Sequence, residues 1–253
     1  MFPTPLQSVF SDAFSVHDLD TIPKVACGTR YVDTVDGRVF RYCLAAGTLY
    51  PGFGAAFSVG VHHAYEAVHA AAAAGDTTIL IDQASVTVDE FAGGYIIMGH
   101  NASATSQTRR VVSNTATSTA AASHVIVTLD RPLAVALTTG EGYEIFANPY
   151  ASMNAPGTTA ENETFGGIPA AVATSGKYFW LQTWGPCFCV PGGADATPGY
   201  GPNAREVFFV GDGSVNTGDV LTYAGKAYQR AGVIIDKGVS GSVAPLVMLQ
   251  ICP

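Results

Sequence analysis

From Cys27 onward the chain reads as short apolar and aromatic runs of strand length separated by Gly, Asn, Ser and Thr, and sustained helical periodicity is rare. The richest such segment is 176–186. There Gly176 and Gly185-Pro186 bracket Lys177-Tyr178-Phe179-Trp180-Leu181-Gln182-Thr183-Trp184 as turn residues bracket a strand. Strict alternation puts Tyr178, Trp180, Gln182 and Trp184 on one face and Phe179, Leu181 and Thr183 on the other. Large side chains on both faces predict a strand covered on both sides. Tyr178, Trp180 and Trp184 are accordingly expected in the core of the C-terminal half.

The same pattern predicts strands at 31–35 and 38–44, flanking Asp36-Gly37, the two-residue signal of a type I′ hairpin. Further strands are expected at 77–81, 85–88, 94–98, 110–113, 124–129 and 143–146, then at 170–174, 207–210, 220–223, 227–229, 233–235 and 243–251. Short strands separated by Gly, Asn, Ser and Thr favour a sandwich or barrel over parallel βαβ units. Residues 61–75 read as a short helix or an irregular link, because Ala70–Ala74 have high helix propensity and His62, Glu66 and His69 follow a 4,3 spacing. Residues 1–24 carry Pro3, Pro5 and Pro23 and read as an extended arm, with Phe2, Leu6, Phe10 and Phe14 recurring every four residues.

The predicted fold is thus mainly β: two small antiparallel β-sandwich or barrel-like domains, an extended N-terminal arm and at most one short helix. The expected division is an arm (1–24), a β-rich domain (25–150), a linker (151–166) and a C-terminal barrel or sandwich (167–253).

Composition narrows the function. Hydrophobic residues make up 48% and charged residues 13% of the 253 positions, against a usual charged share of about 25%. So little charge suggests that much of the exterior meets other subunits. Net charge is −8, and no basic run exceeds Arg109-Arg110, which disfavours nucleic acid as a partner. No apolar run approaches the ~20 residues that span a bilayer. The first residues lack the charged and apolar regions of a secretory signal, so synthesis in a cytosol is expected.

Chemistry-bearing motifs are sparse. Cys27, Cys43, Cys187, Cys189 and Cys252 lack the paired spacing of a zinc site and read as thiols behaving as small hydrophobes. His62, Glu66 and His69 would share a helical face, but without the HExxH spacing of a metal centre. Gly238-Val239-Ser240-Gly241-Ser242 misses G-x-S-x-G at its last position. Gly176-Lys177 lacks the upstream Gly and following Ser or Thr of a phosphate loop. Asp212 and Asp219 miss the calcium-loop pattern, and Asp212-Gly213 reads as a hairpin turn. No catalytic residue, cofactor or metal is expected.

Gly28-Thr29, Asp36-Gly37-Arg38-Val39-Phe40-Arg41-Tyr42, Phe91-Ala92-Gly93-Gly94-Tyr95 and Asp130-Arg131-Pro132-Leu133-Ala134-Val135-Ala136-Leu137 stand in order along the chain. Ala147-Asn148-Pro149-Tyr150, Gly167-Ile168-Pro169-Ala170, the segment 176–186 and the stretch 215–221 follow. Taken in that order, these stretches resemble tailed-bacteriophage virion proteins of the capsid decoration or cement type. The resemblance implies a structural virion protein without an active site. Its β domains would sit outside an assembled capsid on the major capsid protein lattice, commonly as a homotrimer at local threefold positions. The candidate interface residues are Phe2, Leu6, Phe10 and Phe14 of the arm, with Arg109, Arg110 and Tyr200. The alternatives are a tail or fibre component touching the host surface, with glycan contact through loops 101–123 and 191–202, and an envelope-polymer hydrolase.

Overall fold

The structure is a computed structural model that describes residues 15–58, 62–99, 106–118, 123–157, 163–192, 205–218, 228–236 and 244–253. It is mainly β, with two curled antiparallel sheets that form half-barrels. The chain begins one sheet with β1 (Arg30–Val32), β2 (Val39–Leu44) and β3 (Ala55–Phe57). It then builds a second from β4 (His62–Ala67), β5 (Thr78–Asp82), β6 (Tyr95–Met98), β7 (Gln107–Asn114), β8 (His124–Leu129) and β9 (Gly142–Phe146). After a 3₁₀ turn at Pro149–Ala151 it returns to the first. That sheet is completed by β10 (Met153–Asn154), β11 (Phe165–Pro169), β12 (Tyr178–Phe188), β13 (Glu206–Phe209), β14 (Val215–Thr217), β15 (Arg230–Asp236) and β16 (Leu246–Gln250).

This path corrects the expected domain division. One compact unit contains residues 1–59 and 150–253, and the other, residues 60–149, is inserted within it. The reason is pairing across a long sequence gap: β2 lies antiparallel to β12, with Trp180 opposite Tyr42 and Phe179 opposite Cys43. Residues 25–59 therefore belong with the C-terminal half. The expected linker is likewise structural, since β10 pairs with β3 and β11 pairs with both β3 and β12.

β12 is the hub of the first unit, because β2, β11 and β16 all pair with it. Its side chains from Phe179 to Thr183 are buried on both faces, as the pattern of large residues predicts. Phe179 and Leu181 pack with Cys43, Leu49, Ala55 and Met153. Trp180 packs oppositely, with Phe40 and Tyr42. Its ring centroid lies 5.1 Å from that of Tyr42 and 5.7 Å from that of Tyr31. Further along, Cys187 and Cys189 join Val207, Phe209, Val247 and Leu249 in a third cluster.

Part of the expected arm is also core. Val16 and Val25 pack against the Trp180 cluster, and Asp20 bridges Tyr178 through two backbone hydrogen bonds of 3.0 and 2.9 Å. The Asp20 carboxylate accepts a 2.7 Å bond from the Tyr42 hydroxyl and pairs with Lys24 at 2.8 Å. Residues 15–25 thus lie on their own unit.

In the second unit the strand order is β4-β9-β6-β7-β8-β5, and its curl brings Val68, just past β4, into a bridge with Ile81 of β5. Alternation fills the interior: Ile96 and Met98 from β6, Val125, Val127 and Leu129 from β8, Tyr143 and Ile145 from β9, all closing on Phe91.

The expected helix or link at 61–75 is a strand over its first part, where β4 finds a ladder partner in β9; Ala70–Ala74 lie beyond β4, and there Ala72 makes an isolated bridge to Leu137. Two expected strands are absent: 85–88 is a bend with Ser85 at φ +60°, and 170–174 is a turn with a single bridge at Ala173. The hairpin at Asp36-Gly37 is longer than two residues. Asp33 and Arg38 pair across it, the Asp33 carbonyl accepts from Gly37 N, and Gly37 holds φ +75°. The expected strand 220–223 lies outside the described residues; of 227–229, residues 228 and 229 are described and precede β15 without joining a strand.

Candidate functional site

The candidate interface residues divide three ways. Phe2, Leu6, Phe10, Phe14 and Tyr200 lie outside the described residues. Arg109 is spent on its own unit. Its Nε and Nη2 donate to the Pro132 carbonyl at 3.0 and 2.9 Å, Nη1 donates to Thr108 O at 2.8 Å, and Nη2 reaches Gln107 Oε1 at 3.2 Å. Gln107 extends the clamp, accepting from Ala134 N and donating to Val135 O, both at 2.9 Å. Arg110 is exposed, and its backbone N donates to the Asp130 carboxylate at 3.0 Å. Two adjacent arginines on a strand thus have opposite fates, one holding the loop at 130–135 and one facing solvent.

The three predicted core aromatics also diverge. Trp180 is 1% exposed, whereas Tyr178 and Trp184 are half-buried. A bulge causes this: Gln182 pairs with Phe40, yet Trp184 pairs with the very next residue, Val39. The extra residue, Thr183, shifts the register by one, so Trp184 sits on the opposite face from Trp180. Gly185 follows at φ +95°, an angle natural for glycine alone.

Among the described residues no group of three or more His, Cys, Asp or Glu is disposed to hold a metal ion. The closest approach to a catalytic constellation lies in the second unit. His69 Nδ1 is 2.6 Å from Asp82 Oδ1, and His124, opposite Asp82 in the β5–β8 ladder, stacks on His69 with centroids 5.1 Å apart. Ser118 Oγ is 3.3 Å from His124 Nδ1. A serine nucleophile needs one imidazole bonded to both the hydroxyl and the carboxylate. Here the two partners sit on different rings, so no proton path links Asp82 to Ser118 through a single base. The expected hairpin turn at Asp212-Gly213 is present, with the Asp212 carboxylate accepting from Ser214 N at 2.9 Å and Gly213 at φ +82°. Ser240 lies outside the described residues.

Burial pushes the Cys43 thiol well above the ordinary range; the Cys189 thiol is raised first by a side-chain hydrogen bond with the free thiol of Cys187, and burial adds to it. Cys27, half-buried, is raised by burial to about 11.

What stands out is a surface. On the side of β12, β16, β15 and β13 away from the third cluster, register aligns apolar residues across neighbouring strands. Pro186 lies opposite Met248, and Met248 opposite Val233. Phe188 lies opposite Leu246. Ile235 is the extra residue of a bulge between Ile234 and Asp236. Phe188, Ile235 and Leu246 are 54%, 48% and 42% exposed. Phe188 is held in place from behind: Gly52, at φ +84°, passes so close under its ring that a Cβ there would lie 2.5 Å from a ring carbon. Charge flanks this patch: exposed Asp236 lies opposite Leu246, and further along Arg230 pairs with Glu206 at 3.1 Å and donates to Gln250 at 2.7 Å. An apolar centre with a polar margin is the anatomy of a protein–protein contact. Sequence reasoning missed this face because alternation alone does not say which face of a strand is left open.

No protein-family model, curated protein or solved structure matches the chain.

Proposed function

We propose that this chain is a non-enzymatic virion structural protein that binds the outside of an assembled phage capsid as a homotrimer, cementing or decorating the shell. The observation that carries the reading is the apolar face of β12, β16 and β15, centred on Phe188, Leu246 and Ile235. The ordered resemblance to decoration proteins and the 13% charged content point the same way.

The energetics favour a lattice over a solitary partner. Each of the three exposed side chains is roughly half buried already, so complete burial adds about half of the ~1.5–3 kcal/mol of a whole apolar side chain, or roughly 2–4 kcal/mol together. Association costs an estimated ~4–15 kcal/mol in lost freedom. One such face is a weak contact. Three of them on a trimer engage a shell cooperatively, because the second and third contacts form at high effective concentration. Binding to the assembled shell and not to the free subunit then stabilises the shell by mass action.

The test is quantitative mass spectrometry of purified particles together with labelled antibody in electron microscopy. The expected result is copy numbers matching lattice positions and label over the capsid. A few copies per particle, with label at the tail, assigns the chain to a tail or fibre component instead.

A further inference from the structure

The loop between β2 and β3 forms a cleft with the turn between β13 and β14. Its volume is about 160 Å³, and its lining includes Leu49, Tyr50, Phe53, Pro156 and Asp212. That is below the ~300–1,000 Å³ of ordinary cofactor sites, and suits an object the size of one side chain. The walls are braced. Gly54 N donates to Gly213 O at 2.7 Å, Phe53 N to Tyr50 O at 3.3 Å, and Val190 N to Gly52 O at 2.9 Å. Tyr50 is 55% exposed, leaving much of its ring open to a ligand.

We infer that this cleft binds a lysine side chain presented by a partner polypeptide. Two aromatic residues and a carboxylate around an apolar floor suit a cation on an alkyl stem: the stem is buried on Leu49 and Pro156, and the charge meets Asp212 and the aromatic faces. The state of Asp212 selects the kind of cation. One carboxylate oxygen, Oδ1, already accepts from the backbone N and the hydroxyl of Ser214, while Oδ2 accepts no bond from the described residues. A guanidinium fork needs both oxygens for its bidentate pairing, whereas an ammonium needs one. A sugar ring would find few hydrogen-bonding partners, since only Thr48, Tyr50 and Asp212 of the lining carry polar side chains. The inference is independent of where the protein works.

The experiment titrates the ¹⁵N-labelled full chain with Nα-acetyl-lysine methylamide and follows the backbone amides of Gly54, Ala155 and Asp212. Parallel titrations use the neutral norleucine analogue, the arginine analogue and methyl glucoside. Saturable shifts with the lysine probe are expected, with affinity about tenfold lower for norleucine and for Asp212→Asn. Asparagine keeps the Oδ1 acceptor for Ser214, so that variant retains the turn. Tyr50→Ala, a change at an exposed position, is expected to weaken binding as well. Absence of saturable shifts, equal binding of norleucine, tighter binding of arginine, preference for the glucoside, or an unchanged affinity in Asp212→Asn overturns the inference.

Discussion

Trp180→Ala tests whether β12 is the hub of the first unit. The indole is 1% exposed and contacts Tyr42 and Tyr31 at centroid distances of 5.1 and 5.7 Å. Truncating a buried tryptophan costs ~3–5 kcal/mol, transfer and cavity terms together. The upper half of that range applies here. Tyr42 is pinned by its bond to Asp20, and Tyr178 stacks on it at 5.7 Å, so the cavity walls cannot readily collapse. Both tryptophans of the chain lie on β12, so Trp184 remains as a fluorescence reporter of this unit in the variant. With an m-value of about 2 kcal/mol per M in urea, a loss of ~4 kcal/mol lowers the midpoint by about 2 M. Trp184→Ala, read through Trp180, removes a half-buried ring beyond the bulge and should cost only ~1–2 kcal/mol. A Trp180→Ala midpoint within about 0.5 M of wild type, or a larger loss in Trp184→Ala, refutes both the hub and the register shift at Thr183.

Arg109→Ala should destabilise the second unit by about 1–2 kcal/mol, because it removes the donors that hold Pro132 O; Arg110→Ala should leave its thermal transition unchanged. Gly37→Ala meets nothing within 4 Å and so isolates the backbone cost of φ +75°, expected at ~1 kcal/mol by urea denaturation. Stability of the first unit should fall as pH rises from about 9 to 11. The Cys27 thiol ionises at its ordinary value of 9.0 when unfolded but only at about 11 when folded, so the contribution is complete below 9 and lost by 11. Cys27→Ser should flatten that part of the urea-midpoint profile, and an unchanged slope would remove the thiol as its cause.

The legible part of the fold was local. Alternation located β5, β6, β8, β9 and the centre of β12, because each presents one or two packed faces at a period of two. Partner choice was not legible: the same alternation in β2 suits a neighbouring strand as well as β12, which lies more than a hundred residues away. The discontinuous first unit was hidden for that reason. A bulge leaves almost no trace either, since Thr183 is an ordinary strand residue and only Gly185-Pro186 hints at irregularity. Of the candidate site, the arginine pair was visible as charge, but Arg109's fate depended on where the Pro132 carbonyl came to lie. The apolar face joins residues from three separated strands, and no stretch of sequence displays it whole.

The central claim is attachment to an assembled shell through the face of β12, β16 and β15. A single-particle map of the particle tests it most directly. The account predicts density for this chain at every equivalent position on the outer surface, with Phe188, Leu246 and Ile235 turned toward a neighbouring subunit. Density at the tail alone, or a shell-bound chain with that face open to solvent, contradicts it.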